Sequence, residues 1–138
     1  MIRFTVYPEK IIAKQRARVC SNGHAFTPER TVQAEKEIYF AFLNGLRDYR
    51  DEAVENMEGW QPLYLWVSFQ FKHPKKSRIY PTCRPDLDNC IKTVCDALNP
   101  KDYPITPYKD DSQIVTIHAT KTYGAENEID IEIRRIEL

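Results

Sequence analysis

Hydrophobic and polar residues alternate in several segments of the chain, and this period of two predicts β-strands. At the start, Ile2, Phe4 and Val6 alternate with polar neighbours until Pro8 ends the pattern. Residues 63–72 form the clearest strand, whose apolar face carries Leu63, Leu65, Val67, Phe69 and Phe71. Two last segments, 114–120 and 128–136, flank a turn that contains Gly124 and predict a β-hairpin.

Hydrophobic residues three or four positions apart predict two helices. The first begins at Thr27-Pro28, because threonine can cap a helix and proline suits the first helical position. Its buried stripe is Ile38, Phe42, Leu46 and Tyr49, whereas residues 48–58 have too few apolar residues for a core element and predict a solvated helix end or loop. The second helix follows Asp86, buries Leu87, Ile91, Val94 and Leu98, and stops at Asn99-Pro100.

The resulting order, β-α-β-α-β-β, predicts an α+β fold. We expect an α/β two-layer domain, with a mixed sheet of about four strands and two helices packed on one face. A length of 138 residues suits one domain over residues 1–138. Residues 9–26 lack either periodicity and predict a basic surface arm, a loop or irregular hairpin around Ser21-Asn22-Gly23.

No apolar run approaches the length that spans a bilayer, and no secretion signal is apparent at the N-terminus, so we expect a soluble cytoplasmic protein. In that reducing compartment the four cysteines are expected to be free thiols.

Charge is strongly segregated although the formal net charge is zero. Residues 1–30 carry +4 and residues 72–84 carry +5, whereas residues 31–71 between them carry -4. Each basic block alone is typical of a solvated loop. If both blocks flank one cleft, they form a binding surface for a phosphate backbone. The candidate DNA contacts are Lys14, Arg16, Arg18, Lys75, Lys76, Arg78 and Arg84.

Carboxylates cluster at the predicted ends of elements, in Asp86-x-Asp88 before the second helix and in Asp110-Asp111 before a strand. Two residues inside a helix that are two positions apart diverge by about 200°. Asp86 must therefore precede the helix for its side chain to approach that of Asp88. Lys92 lies one turn beyond Asp88 on the same face.

Two interpretations of the Asp86-x-Asp88 segment remain open on its own residues. A capping aspartate and an Asp88–Lys92 pair are ordinary helix-stabilising devices, worth about 0.3–2 kcal/mol each. The second acidic pair favours a metal site, because clustered carboxylates repel one another and suit Mg²⁺ or Mn²⁺. A site that holds such a cation can cleave phosphodiesters, because the cation activates water. Lys92 would stabilise the negative charge that develops on the phosphate.

Three segments together resemble the RusA family of Holliday junction resolvases. They are Arg84-Pro85-Asp86-Leu87-Asp88-Asn89-x-x-Lys92, Asp96-Ala97-Leu98-Asn99 and Asp110-Asp111-Ser112-Gln113-Ile114-Val115. The basic Lys14-x-Arg16-x-Arg18 segment, followed by Phe26-Thr27-Pro28, is also similar, so the resemblance extends over most of the chain.

The resemblance implies a Mg²⁺-dependent homodimeric endonuclease that nicks four-way DNA junctions symmetrically and is often encoded by prophages. It assigns catalysis to Asp86, Asp88, Lys92 and Asp111, with Asp86, Asp88 and Asp111 as metal ligands. Asp110 ranks below Asp111, which would also share strand parity with Gln113 and Val115 if the strand were regularly pleated.

Three functional hypotheses follow. The leading one is a junction resolvase acting in DNA recombination and repair, in the cytoplasm and close to the nucleoid. The second keeps the same metal site but takes flaps, forks or other branched DNA as its substrate. The third is a non-catalytic DNA-binding module whose acidic residues only cap helices and form ion pairs.

Overall fold

A computed structural model describes residues 1–14, 18–19, 21–26, 28–74, 79–99 and 101–137, with the side chains of residues 18, 19 and 26 excluded. Its strands are β1 (Ile2–Val6), β2 (Arg18–Val19), β3 (Ala25–Phe26), β4 (Leu63–Lys72), β5 (Ile114–Gly124) and β6 (Glu128–Arg135). Four of them form a mixed sheet in the order β1-β6-β4-β5. The predicted α+β fold and four-stranded sheet are confirmed.

The centre of the sheet is formed by β4 and β6, which pair antiparallel. Alternation along β4 buries Leu63, Leu65, Val67 and Phe69 on the predicted face, and Phe71 at the end of that face is half-buried. The buried residues of these two strands are Leu63, Leu65, Val67 and Phe69 in β4 and Ile129, Ile131 and Ile133 in β6. β1 extends the sheet on the far side of β6.

The predicted hairpin between the last two strands is wrong. β5 pairs in parallel with β4, so β4 lies between β5 and β6. The connection passes the end of β4, where the His73 N–H donates to the Gly124 carbonyl over 2.9 Å. The Lys72 N–H donates to Asn127 Oδ1 over 2.8 Å. A turn signal indicates that the chain reverses direction, but it does not show whether the two strands pair with each other or with a third strand between them.

In the described part of the chain, three α-helices cover the sheet: α1 (Glu29–Asn44), α2 (Leu46–Gly59) and α3 (Leu87–Ala97). The prediction for residues 48–58 is wrong, because this segment belongs to a helix with a buried face. Tyr49, Ala53 and Asn56 form that face. Alanine, asparagine and a single tyrosine do not make a hydrophobic stripe, so the apolar pattern underestimates this helix.

A small antiparallel ribbon, β2–β3, forms within the predicted basic arm. No helix in the described part of the chain is long and apolar enough to cross a membrane. Cys83, Cys90 and Cys95 are free thiols, and Cys20 lies outside the described residues.

The loop that returns from α3 to β5 is fixed by buried polar side chains. The fully buried Tyr108 donates its hydroxyl to the Cys95 carbonyl over 3.0 Å. The Asn56 amide donates to the Pro107 carbonyl over 3.1 Å. These bonds hold the return loop against α2 and α3, directly before the acidic pair.

Gln113 completes this attachment and is 2% exposed. Its Nε2 donates to the carbonyls of Asn56 and Gln61 over 2.9 and 3.0 Å. Its Oε1 accepts from the backbone N–H groups of Lys109 and Asp110 over 2.7 and 3.1 Å. One side chain therefore satisfies four backbone groups and joins the start of β5 to the end of α2.

We expect Gln113→Ala to lower the free energy of unfolding by roughly 2–4 kcal/mol, because it leaves buried backbone groups without partners. The measurement is urea denaturation followed by circular dichroism. Gln33→Ala is the matched control, since Gln33 is exposed on α1 and its loss should change stability by less than about 0.5 kcal/mol. Equal losses in the two variants would contradict the anchoring role.

Candidate active site

Asp86 stands immediately before α3, as the sequence geometry requires. It is the N-cap residue, with an extended backbone (φ -71°, ψ 142°), but its carboxylate makes no capping hydrogen bond. Asp88 and Lys92 are exposed one turn apart, and no ion pair joins them in the described part of the chain. The helix-stabilising interpretation of this segment requires a capping hydrogen bond from Asp86 and an Asp88–Lys92 ion pair. Neither interaction is present among the described residues.

Asp110 has a structural role in its own loop. Its carboxylate accepts from the Ser112 N–H over 3.0 Å and from the Asn99 amide over 3.3 Å. It caps the 3-10 helix Asp111–Gln113 in a reciprocal capping box with Gln113. These hydrogen bonds, that from Ser112 first, lower the pKa of Asp110 below its ordinary value. Its oxygens are thus engaged in holding the loop.

Asp111 is half-buried and lies in a different electrostatic environment. Burial raises the pKa of its carboxyl, as do the neighbouring charges of Asp110 and Asp96, while Lys92 opposes the shift. The return loop that carries Asp111 is attached to the C-terminal part of α3, where the Tyr108 hydroxyl donates to the Cys95 carbonyl over 3.0 Å. A carboxylate that is partly removed from water and lies beside two other negative charges is stabilised by a neighbouring cation.

The strand-parity argument for preferring Asp111 to Asp110 is wrong. Asp111 begins a 3-10 helix, and β5 begins only at Ile114, so regular pleating does not apply to the pair. The distinction rests instead on hydrogen bonding, because the carboxylate of Asp110 is occupied by the cap.

The face of α3 that carries Asp88 continues through Lys92 to Asp96, at intervals of four residues. Asp96 begins one of the three segments that carry the family resemblance, but it was not among the predicted site residues. Its spacing of four residues from Lys92 is the sequence signal that places it on this face. Asp86 lies at the N-terminal end of the same helix, and Asp111 approaches from the 3-10 helix.

The chemistry of these donors fits a hard divalent cation. The carboxylates of Asp86 and Asp88 accept no hydrogen bond from the described residues, and carboxylate oxygens are the ligands that Mg²⁺ and Mn²⁺ prefer. Among the described residues, no three histidine, cysteine, aspartate or glutamate side chains are already gathered into a metal-binding group. The donors are of the right type but do not form a closed preformed cage.

Lys14 is attached to α3 rather than held open to solvent. Its backbone N–H donates to the Asn89 carbonyl over 3.0 Å. Its Nζ lies 2.5 Å from Glu35 Oε1 and 3.2 Å from Asp96 Oδ2. Burial lowers the pKa of Lys14, but the hydrogen bonds to the two carboxylates outweigh burial and raise the net pKa. The positive charge of this predicted DNA contact is already compensated.

A groove lies between residues 10–14 and the N-terminal end of α3. Its polar lining consists of Lys10, Lys14, Arg30, Arg84, Asp86 and Asn89. Arg84 therefore lines the same groove as Asp86, an acidic candidate ligand. Lys10 and Arg30 were missed as individual residues, although both belong to the basic block over residues 1–30.

The other five predicted DNA contacts are Arg16, Arg18, Lys75, Lys76 and Arg78. Only the backbone of Arg18 is described, in β2. Arg16, Lys75, Lys76 and Arg78 lie outside the described residues.

Comparison with known proteins identifies the family. Residues 8–134 match the endodeoxyribonuclease RusA family. The chain is 28% identical over 144 residues to the uncharacterized protein YqaN of Bacillus subtilis (strain 168). The alignment covers 98% of this chain and 96% of YqaN. The chain is 40% identical over 89 residues to the crossover junction endodeoxyribonuclease rusA of Lactococcus phage r1t, covering 63% of this chain and 65% of the phage protein. The chain belongs to the RusA endodeoxyribonuclease family.

We expect Lys14→Ala and Arg84→Ala to affect DNA binding differently. Each phosphate contact contributes about one to the slope of log affinity against log salt concentration. Arg84 is exposed and has no ion pair in the described structure, so its loss should reduce that slope by about one. Loss of Lys14 should leave the slope unchanged, because its charge is paired with Glu35 and Asp96.

The measurement is fluorescence anisotropy of a labelled four-way junction between 50 and about 200 mM salt, the range over which phosphate contacts strongly change affinity. An equal fall in slope for both variants would contradict the assignment of Lys14 as an anchor of the arm.

Proposed function

We propose that the protein is a Mg²⁺-dependent endodeoxyribonuclease that resolves four-way (Holliday) junctions by paired symmetric nicks in DNA recombination and repair. Mn²⁺ is the expected substitute for Mg²⁺. The observation that carries the proposal is that Asp86, whose carboxylate accepts no hydrogen bond from the described residues, lines a groove together with basic side chains, while Asp88 is exposed in the first turn of α3. Membership of an endodeoxyribonuclease family and likeness to a phage protein named for crossover junctions support the same conclusion.

In this proposal, Asp86, Asp88 and Asp111 hold the cation. When bound, Mg²⁺ supplies Lewis-acid stabilisation of the phosphoryl oxygens and activates water for attack. Lys92 is exposed one turn from Asp88 and stabilises negative charge that develops on the phosphate. Asp110 is left out of the ligand set because its oxygens cap the 3-10 helix.

The basic groove holds the DNA backbone beside these carboxylates. Arg84 lies in that groove with Lys10 and Arg30. We expect Arg16, Arg18, Lys75, Lys76 and Arg78, which belong to the two basic blocks of the sequence, to supply further DNA contacts. The formal net charge of zero limits indiscriminate binding to duplex DNA, because the basic blocks are offset by acidic ones elsewhere in the chain.

Two copies of the chain act together in the proposed reaction. A four-way junction has approximate two-fold symmetry, and resolution requires two matched nicks, so a homodimer supplies one acidic site for each strand. The action belongs in the cytoplasm at the nucleoid, of a bacterium or a phage-infected cell. The phage relative makes a prophage role the favoured one.

The test of this proposal is cleavage of a labelled synthetic four-way junction beside a linear duplex of the same sequence, with Mg²⁺ or with EDTA. Symmetric nicks in the junction alone, lost with EDTA, would support resolution. Equal or faster cleavage of flaps and forks would favour the branched-DNA nuclease. Binding without cleavage in both Mg²⁺ and Mn²⁺, over several junction sequences, would favour the DNA-binding module.

We expect Asp88→Asn to reduce junction cleavage at least about 100-fold while junction binding is preserved or strengthened. The substitution removes a metal ligand and also relieves repulsion between carboxylate and phosphate. Asp102→Asn is the matched control, because Asp102 is exposed in the return loop and should be dispensable. Unchanged cleavage by the Asp88 variant would remove this residue from the mechanism.

We expect the loss of cleavage rate at low pH to depend on the concentration of Mg²⁺. The raised pKa of Asp111 means that its carboxyl keeps a proton to a higher pH than an ordinary aspartate. Activity at limiting Mg²⁺ should therefore fall as the pH decreases through that raised pKa, and excess Mg²⁺ should move the fall to lower pH because cation and proton compete. A loss of rate at low pH that does not move with Mg²⁺ concentration would contradict Asp111 as a ligand.

A further inference from the structure

Lys121 is a charged residue among the apolar residues of the sheet. In the pairing of β5 with β4 it is level with Phe69, which is buried in the core. Lys121 is half-buried, and its ammonium nitrogen lies 5.6 Å from the centre of the Phe71 ring. No ion pair reaches Lys121 in the described part of the chain. A charge in such surroundings needs other polar groups to satisfy it.

Two backbone carbonyls satisfy this ammonium. Its Nζ donates to the Cys83 carbonyl over 2.8 Å and to the Pro85 carbonyl over 2.7 Å. An ammonium has three donors, so one lysine can bind two carbonyls at once. Among the described residues, the backbone of residues 83–85 forms hydrogen bonds with this group alone. Lys121 therefore attaches this segment to the sheet.

The attached segment carries two residues of the proposed reaction. Arg84 lies between the two bound carbonyls, Asp86 directly follows the second, and both residues line the groove beside α3. The Asp86 carbonyl accepts from the Cys90 N–H over 3.1 Å, which joins it to the first turn of α3. The Asp86 carboxylate forms no capping hydrogen bond. The position of this carboxylate thus depends on how its backbone is held from either side.

We propose that Lys121 is a positioning residue for the candidate active site. By binding the carbonyls of Cys83 and Pro85, it fixes the backbone from which Arg84 reaches the DNA phosphate and Asp86 reaches the cation. An ammonium has no lone pair to offer a metal, so Lys121 acts through these two residues. The inference rests on the proposed function, which makes Arg84 a phosphate contact and Asp86 a metal ligand.

The charge of Lys121 makes the direction of its effect informative. A positive group bound beside Asp86 repels a divalent cation, so removing that charge alone would raise the affinity for the metal. Loss of a positioning contact would lower the affinity instead, because metal ligands must be held close to their productive geometry. The sign of the change therefore separates positioning from a simple charge effect.

The first test is hydrogen exchange of the protein without metal or DNA. Methionine is similar to lysine in length but cannot donate, so Lys121→Met should speed amide exchange in residues 79–90 at least about tenfold. Exchange in β4 should be unchanged. Lys36→Met is the matched control, since Lys36 is exposed on α1, and it should change neither region. No acceleration in residues 79–90, or an equal one in β4, would overturn the proposal.

The second test is calorimetric titration of Mn²⁺ into the protein without DNA. We expect Lys121→Met to lower the affinity at least about tenfold, whereas Lys36→Met should leave it unchanged. In the Asp86→Asn background, Lys121→Met should cost less than about twofold, because two residues that act through one contact are not additive. Unchanged or higher affinity in Lys121→Met, or an undiminished loss in the Asp86→Asn background, would contradict positioning.

Lys121→Gln is the second variant, in case methionine prevents folding. Its amide is neutral and shorter, so it can reach at most one of the two carbonyls. We expect faster exchange in residues 79–90 and a loss of Mn²⁺ affinity of at least about threefold. Wild-type values in both measurements would overturn the proposal.

The positioning role and the proposed function fail in different ways. Wild-type protein that binds no Mn²⁺ and cleaves no branched DNA would reject the proposed function, while hydrogen exchange would still test the attachment by Lys121. Junction resolution by wild type, together with wild-type exchange and Mn²⁺ affinity in the Lys121 variants, would reject the positioning role and leave the resolvase intact.

Discussion

The parallel pairing of β4 with β5 determines where the predicted catalytic residues lie in the fold. Two parallel neighbouring strands require the chain to cross back over the sheet between them, and here the crossover contains α3. All four predicted catalytic residues are found between the end of β4 and the start of β5. The connection that the topology requires is therefore the segment that carries the acids.

A crossover can position charged groups only if its ends are held. The N-terminal end of α3 is attached to β5 through Lys121, whose ammonium donates to the carbonyls of Cys83 and Pro85 over 2.8 and 2.7 Å. The return loop is attached to α2 and α3 through Tyr108, Asn56 and Gln113. Buried polar side chains are costly unless they are satisfied, and these are used to fix backbone beside the site.

The same loop separates the roles of two adjacent aspartates. The carboxylate of Asp110 forms the cap, which lowers the pKa of Asp110, whereas Asp111 takes no part in that cap and burial raises its pKa. On α3, Asp86 and Asp88 remain without hydrogen bonds from the described residues. Carboxylates that lie near other negative charges are destabilising on their own, and the proposed cation would offset that repulsion.

Sequence periodicity predicted the elements whose faces differ strongly in polarity. The alternation in β4 and the stripe of α3 are of this kind, and the rotation per helical residue was enough to place Asp86 outside the helix. α2 was missed because Ala53 and Asn56 are buried without being strongly apolar.

The remaining differences arise from contacts between residues distant in sequence. The insertion of β4 between β5 and β6 depends on pairing that no local pattern encodes. The compensation of Lys14 by Glu35 and Asp96 depends on how the arm lies across α1 and α3. The prediction from charge alone named Lys14 as a DNA contact, because a sum of charges along the sequence does not show which side chains are paired.

The central claim is that carboxylates from the two ends of the crossover bind one divalent cation site. Calorimetric titration of Mg²⁺ or Mn²⁺ into the protein without DNA tests it most directly, with Asp111→Asn compared against Asp110→Asn. We predict that the Asp111 variant loses at least about tenfold in affinity, whereas asparagine at position 110 still caps the 3-10 helix and changes affinity by less than about threefold. Equal losses in both variants, or no loss in either, would contradict the account.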